Sequence, residues 1–161
     1  MIMNTVYLLL GSNIGDSKAH LATAQTHIEN NIGKIIKASS LYSTEAWGDK
    51  SQPSFLNQVV IIETTLVAGE TINTIFDIEE KMGRKRTLKN APRIIDIDVL
   101  FFNREIIQTK KLTVPHPEIE NRRFVLVPMT ELSPAFIHPL LHKNMQSLLE
   151  DCRDTLNVQK I

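Results

Sequence analysis

Residues 93–102 read RIIDIDVLFF and place two carboxylates, Asp96 and Asp98, inside a run that is otherwise nearly all apolar. In an extended strand alternate side chains leave on the same face, so the two Cα atoms lie roughly 6.6 Å apart. Carboxylates held this close in a partly buried place repel each other and lose hydration. They therefore need cations, either arginine and lysine side chains or a divalent metal ion. For a lone D-x-D pair, a strand face open to solvent is an equally good interpretation.

The other side chains of this run favour a covered site. Alternation predicts that one strand face carries only apolar residues, namely Ile95, Ile97, Val99 and Phe101. The aspartate face continues into Leu100 and Phe102, and two large apolar side chains do not suit an open polar face. We therefore expect the aspartates to be partly buried.

A basic segment leads into this strand. KMGRKRTLKNAPR, residues 81–93, contains no acid, and its cations are Lys81, Arg84, Lys85, Arg86, Lys89 and Arg93. A solvated basic loop is the usual explanation of such a run, and a nucleic-acid patch is a second one. Cations beside carboxylates are also what phosphoryl transfer requires, since Mg²⁺ neutralises phosphate oxygens and arginines stabilise charge in the transition state. The chain has neither a P-loop nor a G-x-G-x-x-G motif, so any use of ATP would not involve those turns.

The helix predicted before the basic segment contains a second unusual carboxylate. Its apolar stripe is formed by Ile72, Ile75, Phe76 and Met82, and Glu79 falls near the centre of that stripe. Glu79 is therefore predicted to point inward. It could pair with an arginine of the core or accept hydrogen bonds from a ligand, because a buried carboxylate without a partner is costly.

Further candidate side chains lie on either side of these motifs. His116 alone would more often be a surface histidine or a hydrogen-bonded core histidine. It is close in sequence to Arg122 and Phe124, and no second histidine or cysteine has zinc-ligand spacing, so a phosphate suits it better than a metal. Phe55 and Asn57 lie two residues apart, and thus on one strand face. They could hold a flat heterocycle by stacking and edge hydrogen bonds, or they could be ordinary strand residues.

The elements that position these residues follow from periodicity and turn signals. Strands are predicted at 6–10, 35–42, 55–66 and 93–102, and helices at about 17–30, 70–83 and 144–153. Residues 104–114 read as a short strand and its return, and a loop or short helix begins at Pro117. The order βαββαβ predicts an α+β fold with a ferredoxin-like, mainly antiparallel core, to which the C-terminal hairpin and helix add a third layer. The fold alone does not specify the chemistry.

Composition limits the class of protein. The chain has 161 residues, with 18 basic and 18 acidic side chains, and its zero net charge argues against general nucleic-acid binding. The length predicts one domain, residues 1–161. The single cysteine, Cys152, fits a reducing, cytoplasmic location, and the N-terminus predicts neither a signal peptide nor a membrane span. We expect a monomer that acts on small molecules, with no nucleic-acid or membrane partner.

These motifs occur together in one known family. In order along the chain, the segments concerned are LLLGSNIGD, LYSTEAWG, QPSFLNQVV, IEEKMGRKR, APRIIDIDVLFF and LTVPHPEIENRRFVLVP. With them, the sequence resembles the 6-hydroxymethyl-7,8-dihydropterin pyrophosphokinases of folate biosynthesis over nearly its whole length. The combination of R-x-R, P-R-x-[IL]-D-[IL]-D and V-P-H in this order and spacing is highly specific.

The resemblance implies a reaction and its site residues. The family transfers pyrophosphate from ATP, the co-substrate, to the hydroxymethyl group of the pterin and releases AMP, with two Mg²⁺ ions. By resemblance Asp96 and Asp98 bind the metal ions, and Arg84 and Arg93 act on the phosphates during transfer. The implied ATP contacts are Arg86, Thr113, His116 and Arg122. The implied pterin contacts are Thr44, Glu45, Trp47, Phe55, Asn57, Glu79 and Phe124. In this scheme the phenylalanines sandwich the ring, and the amide and the glutamate bind its edge.

Two other functions stay open on the sequence. A ferredoxin-like binding module could use the basic segment to hold RNA or an acidic partner, although the neutral composition and the lack of an RNP-like aromatic strand count against it. A metal-dependent nucleotide hydrolase would use the two aspartates but would leave Glu79, Asn57 and the two phenylalanines unexplained.

Overall fold

A computed structural model describes residues 2–45, 51–84 and 92–161 of the chain. The helices are α1 (Ser17–Asn31), α2 (Ala68–Lys81), α3 (Arg123–Leu132) and α4 (Met145–Asp151), and a 3₁₀ turn at Ile119–Asn121 precedes α3. The strands are β1 (Asn4–Ser12), β2 (Lys34–Ala38), β3 (Tyr42–Thr44), β4 (Phe55–Thr64), β5 (Asp96–Phe102), β6 (Ile107–Gln108), β7 (Thr113–Val114) and β8 (Val158–Lys160).

The main sheet is antiparallel and has the order β5-β1-β4-β3-β8, with β2 also paired to β4. Strands β6 and β7 form a separate two-stranded ladder. The predicted βαββαβ order, the ferredoxin-like core and the hairpin are therefore confirmed. Within the described residues, no helix combines the length and apolar composition needed to cross a membrane.

The sheet lies between two helical layers. Residues of α1 and α2, such as Leu21, Ile28 and Ile75, pack on one face, while α3 and α4 contribute Met129 and Leu148 to a second apolar cluster on the other face. Burial of apolar side chains on both faces makes the sheet the middle layer, as the predicted three-layer arrangement requires.

The chain between α1 and β4 differs from the prediction of one strand over residues 35–42. Strands β2 and β3 both run along β4, but the chain leaves the ladder between them. Ser40 donates its backbone N–H and its hydroxyl to the carboxylate of Glu131 on α3, and Tyr42 donates its hydroxyl to the same carboxylate at 2.6 Å. A strand amide satisfied by a helix side chain cannot also continue the ladder, so the single predicted strand is wrong.

Strand β5 also departs from simple alternation. The register with β1 pairs Val99 with Leu8 and Phe101 with Tyr7, so Leu100 is an extra residue on β5. This bulge places Leu100 and Phe101 together in the α3–α4 layer and Phe102 in the α1–α2 layer. The predicted faces of Phe101 and Phe102 are therefore wrong, whereas Ile97 and Val99 lie in the α1–α2 layer as expected.

Candidate active site

Two clefts meet at the aspartates of β5. The lining of the phenylalanine cleft includes Thr44, Glu45, Gln52, Phe55, Asn57, Arg93, Arg122 and Phe124. The lining of the histidine cleft includes Ile72, Phe76, Glu79, Arg84, Lys111, Thr113, His116 and Pro117. Asp96 and Asp98 line both clefts. The two carboxylates thus form a wall that the clefts share.

Pairing with β1 holds this wall in place. Asp98 lies opposite Leu9, and Asp96 lies opposite Gly11. Gly11 keeps the phenylalanine cleft open, since a Cβ atom there would lie 2.8 Å from Nδ2 of Asn57. The glycine of the sequence motif GSN is thereby explained by a close approach between two neighbouring strands.

Two arginines bind Asp96 from the predicted basic segment. Arg84 Nη1 donates to Asp96 Oδ1 at 2.7 Å, and Arg93 Nη1 donates to Asp96 Oδ2 at 3.0 Å. Arg84 is only 13% exposed, and its buried Nε has no hydrogen-bond partner within the described residues. A buried guanidinium donor that lines a cleft in this state can serve a bound anion.

Glu79 is buried, as helix periodicity predicts, at 2% exposure. Its Oε2 accepts hydrogen bonds from Arg84 Nη1 and, at 2.9 Å, from the backbone N–H of Ile97, which lies between the two aspartates. It lines the histidine cleft and is absent from the wall that contains Phe55, Asn57 and Phe124. Glu79 thus lies on the histidine cleft, and a contact between its carboxylate and the edge of a ring held by those residues stays a prediction. Its alternative role, pairing with an arginine, is the one observed.

The carboxylates and arginines of the site shift one another's pKa values. Burial raises the pKa of Asp98 to about 8, and the negative charges of Asp96 and Glu79 add to this effect, while Arg122 and Arg84 oppose it. Burial would lower the pKa of Arg84, but the charges of Asp96 and Glu79 outweigh burial and raise it above its usual value. The site therefore holds permanently charged guanidinium groups beside a carboxyl that resists ionisation until a further cation arrives.

The phenylalanine cleft combines aromatic faces with an oriented amide. Thr44 Oγ1 donates to Asn57 Oδ1 at 2.7 Å, which fixes the direction of the amide. The guanidinium carbon of Arg122 lies 5.6 Å from the ring centroid of Phe124, within cation–π range. Glu45 accepts a long hydrogen bond, 3.4 Å, from the backbone of Asn157. Trp47 belongs to the same predicted group and lies outside the described residues.

The histidine cleft presents hydrogen-bond donors. Nδ1 of His116 accepts the backbone N–H of Glu118 at 3.2 Å, so the neutral ring carries its proton on Nε2. Burial and the charge of Arg122 lower the pKa of His116, which keeps the ring neutral near pH 7. Thr113, another predicted ATP contact, lines this cleft as well. Arg122 was predicted to bind ATP with them, but it lines the phenylalanine cleft. Arg86 lies outside the described residues.

Among the described residues that line the clefts, sequence reasoning missed two polar side chains. Lys111 lines the histidine cleft, and Gln52 lines the phenylalanine cleft. Lys111 lies two residues before Thr113, so strand alternation from Thr113 could have indicated it. No comparable signal marks Gln52, because it precedes β4 in a loop whose path periodicity does not predict.

The carboxylates of Asp96 and Asp98 suit a metal ion that needs few protein ligands. No group of three or more histidine, cysteine, aspartate or glutamate side chains that could hold a metal occurs among residues 2–45, 51–84 and 92–161. Mg²⁺ usually needs only one or two protein carboxylates, because water and substrate phosphates complete its shell. The two carboxylates of Asp96 and Asp98 therefore fit Mg²⁺ better than a metal held entirely by protein side chains.

The fold and the site define an α+β protein of ferredoxin-like topology with two ligand clefts that share an acidic wall. Residues 7–134 match the family model described as 7,8-dihydro-6-hydroxymethylpterin-pyrophosphokinase (HPPK). The chain belongs to this family. The resemblance inferred from the motifs is thus confirmed.

Individual relatives agree with this assignment. The chain is 42% identical over 144 residues to the 2-amino-4-hydroxy-6-hydroxymethyldihydropteridine pyrophosphokinase of Aquifex aeolicus, covering 89% of each chain. It is 41% identical over 130 residues to the protein of the same name from Bacillus subtilis, covering 80% of this chain and 78% of the relative. The folic acid synthesis protein fol1 of Schizosaccharomyces pombe is 38% identical over 145 residues, which are 89% of this chain but 20% of that protein.

A solved structure supports the fold. The wild-type HPPK-DHPS of Plasmodium falciparum superposes with a TM-score of 0.74 at 18% identity, covering 93% of this chain and 45% of that one. At this level of identity the similarity concerns the fold alone. The chain corresponds to less than half of that larger protein.

Proposed function

We propose that the chain transfers the pyrophosphoryl group of ATP to the hydroxymethyl group of 6-hydroxymethyl-7,8-dihydropterin and releases AMP, a step of folate biosynthesis. The Aquifex aeolicus relative is named for this pyrophosphokinase activity, and this chain spans 89% of its length. The observation that carries the proposal is the acidic wall, Asp96 and Asp98, which lines both clefts. A pterin in one cleft and a triphosphate in the other would meet at this wall, and such proximity replaces a bimolecular encounter with a step between bound groups.

The pterin would occupy the phenylalanine cleft. Phe55 and Phe124 offer the apolar faces that a flat ring needs, and the amide of Asn57, oriented by Thr44, offers an edge partner. Glu45 and Trp47 remain proposed contacts of the same pocket. We assign no pterin contact to Glu79, because it faces the other cleft.

ATP would occupy the histidine cleft. Thr113 and the Nε2–H of His116 are donors for phosphate or ribose oxygens, and Arg122 would reach the phosphates from the neighbouring cleft. Arg86 is the remaining proposed ATP contact. All these donors are neutral or positive near pH 7, as a triphosphate requires.

Arg84 and Arg93 would act directly on the phosphates during transfer. Asp96 holds both guanidinium groups, and Glu79 also holds that of Arg84. Phosphate oxygens would replace part of this carboxylate contact, so the cations are already positioned where charge develops. Glu79 then serves to hold Arg84 and the β5 backbone rather than to bind substrate.

Two Mg²⁺ ions are proposed as cofactors, with Asp96 and Asp98 as their protein ligands. When bound, such ions neutralise phosphate oxygens and make the phosphorus more open to attack. The two carboxylates would supply the negative charge that holds them, and the raised pKa of Asp98 implies that metal binding displaces a proton from that side chain.

The test is the joint dependence of AMP formation on ATP, Mg²⁺ and the reduced hydroxymethylpterin. Asp96→Ala and Asp98→Ala should abolish AMP formation while far-UV circular dichroism stays unchanged. Asp77→Ala removes an exposed carboxylate from α2 and is the matched control, which should keep full activity. Release of ADP, or AMP formation without pterin, would refute the proposal.

Three further proposals concern the domain organisation, the location and the oligomeric state. We propose that residues 1–161 act as one domain, since both helical layers pack on the same sheet. The single cysteine and the balanced charge support a cytoplasmic location, and we propose a monomer. Size-exclusion chromatography with light scattering at micromolar concentration tests the monomer, and a mass twice that of the chain would contradict it.

A further inference from the structure

Asn13 follows directly after β1 and lies outside both clefts, yet it is only 4% exposed. An amide side chain offers one oxygen acceptor and two N–H donors. In Asn13 each of these groups is used. Oδ1 accepts the backbone N–H of Arg93 at 2.7 Å, and Nδ2 donates to Oε1 of Gln52 and to the backbone carbonyl of Pro53, both at 3.2 Å.

The contact with Arg93 is a pair of opposed hydrogen bonds. Besides the side-chain bond, the backbone N–H of Asn13 donates to the carbonyl of Arg93 at 3.0 Å. The backbone of Arg93 is thereby fixed at both its polar atoms, and its guanidinium reaches Asp96 at 3.0 Å. A long side chain loses much rotamer entropy when it is ordered, so a fixed backbone makes its position easier to hold.

The contact with Gln52 and Pro53 reaches the other side of the phenylalanine cleft. Gln52 and Arg93 both line that cleft, although they are 41 positions apart in sequence. Asn13 is bonded to each of them. One buried side chain therefore joins the segment that ends in a proposed catalytic arginine to the segment that precedes β4.

We propose that Asn13 is a positioning residue, which sets the place of Arg93 relative to the pterin cleft through these three side-chain hydrogen bonds. This inference rests on the proposed function, because it assigns a task to Arg93 in that reaction. Only asparagine meets the geometry without loss. Aspartate keeps the acceptor for Arg93 but has no donor for Gln52 or Pro53, and alanine has neither.

The test is steady-state kinetics of AMP formation in a double-mutant cycle. Asn13→Ala should lower kcat roughly 10- to 100-fold, since a misplacement of about 1 Å can cost that much. In an Arg93→Ala background the same change should lower kcat by less than about twofold, because the group it positions is already missing. Equal effects of Asn13→Ala in the two backgrounds would overturn the inference.

Asn4 supplies the matched control at the opposite end of β1. Its amide is also buried, donates to the carbonyl of Leu66 at 2.9 Å and accepts from Asn103 at 2.9 Å. Asn4→Ala therefore removes comparable structural hydrogen bonds and should lower the melting temperature while leaving kcat unchanged. A loss of kcat equal to that of Asn13→Ala would show a general structural effect and would also overturn the inference.

Asn13→Asp keeps the acceptor for Arg93 but removes the donors to Gln52 and Pro53, and it remains informative if the alanine variant does not fold. Because the bond to Arg93 is kept, kcat should stay close to wild type, and loss of the bonds to Gln52 and Pro53 should raise the KM for the pterin. A loss of kcat with unchanged KM would contradict the inference. Amide hydrogen exchange of Arg93 gives a readout without catalysis, and protection should fall in Asn13→Ala. If the wild-type protein forms no AMP, the proposed function fails. An unchanged Arg93 exchange rate refutes the role of Asn13 by itself.

Discussion

Glu79→Ala should destabilise the protein and weaken ATP binding far more than pterin binding. The side chain of Glu79 is buried, and its carboxylate accepts hydrogen bonds from the side chain of Arg84 and from the backbone N–H of Ile97. β5 is an edge strand of the sheet, and the bond from Ile97 to Glu79 satisfies an N–H group on the outer side of β5. Alanine would remove the acceptor for both donors at once.

The size of the effect follows from these two contacts. A buried N–H group left without an acceptor costs about 1–3 kcal/mol. Breaking a buried ion pair costs about 3–5 kcal/mol when the remaining charge has no other partner, but Arg84 keeps its bond to Asp96 at 2.7 Å. We therefore expect a total loss of about 3 kcal/mol. For a chain of this length, about 2–4 °C per kcal/mol gives a fall in Tm of about 6–12 °C.

Thermal unfolding and calorimetric titration measure the two parts of this prediction. The Kd for a non-hydrolysable ATP analogue should rise about tenfold, which corresponds to about 1.4 kcal/mol, because Arg84 keeps only one of its two anchors. The Kd for the pterin should change less than about twofold, since Glu79 does not line its proposed cleft.

Two further variants, Glu80→Ala and Glu79→Gln, test whether the effect is specific to the carboxylate of Glu79. Glu80→Ala, which removes an exposed glutamate at the next position of α2, is the matched control and should leave Tm and both Kd values unchanged. Glu79→Gln keeps an acceptor for Ile97 but loses the charge and should fall between the wild type and Glu79→Ala. A Tm within about 2 °C of wild type for Glu79→Ala, or an equal loss for both ligands, would refute the reasoning.

Three further predictions concern single side chains. Because burial raises the pKa of Asp98 from 3.8 to about 8, the folded protein keeps a proton that the unfolded chain loses. Its free energy of unfolding without Mg²⁺ should therefore fall between about pH 4 and pH 8 and then level off, and urea titrations of Asp98→Asn should show a flatter profile. Phe124→Ala should raise the pterin Kd about 3- to 10-fold and leave the ATP Kd unchanged, as calorimetry would show; parallel losses would contradict the cleft assignment. Gly11→Ala should raise the KM for the pterin, because the new Cβ atom would lie 2.8 Å from Nδ2 of Asn57 and displace its amide. An unchanged KM would show that the position of this amide does not affect pterin binding.

The local patterns predicted the elements of the site but not the partners of every side chain. Strand periodicity placed Asp96 and Asp98 on one face, and helix periodicity turned Glu79 inward. Whether Glu79 meets a ligand or an arginine depends on how α2 lies against β5, and that relation is set by packing between elements distant in sequence. Helix periodicity therefore left both possible partners of Glu79 open, and the structure shows the arginine.

Helix α3 was not predicted because its local signals oppose a helix. The segment contains Pro128 in its interior, and the β-branched Val125 and Val127 precede it. Proline removes one helical hydrogen bond, and β-branched residues favour strands. Burial of Leu126 and Met129 against the sheet outweighs these preferences. Strand β8 is three residues long, too short for a pattern of period two.

The bulge at Leu100 has a consequence for changes in chain length within β5. Without Leu100, Val99 and Phe101 would lie opposite the consecutive residues Leu8 and Tyr7, which is the pairing of a regular ladder. Deleting Leu100 should therefore leave the aspartates and both phenylalanines in their present layers. The cost of the deletion would come from the loss of a fully buried side chain, which Leu100→Ala removes as well. The strand can thus lose a residue at this one position without turning its carboxylates away from the clefts, whereas a deletion between Asp96 and Val99 would reverse the faces of the side chains on one side of it.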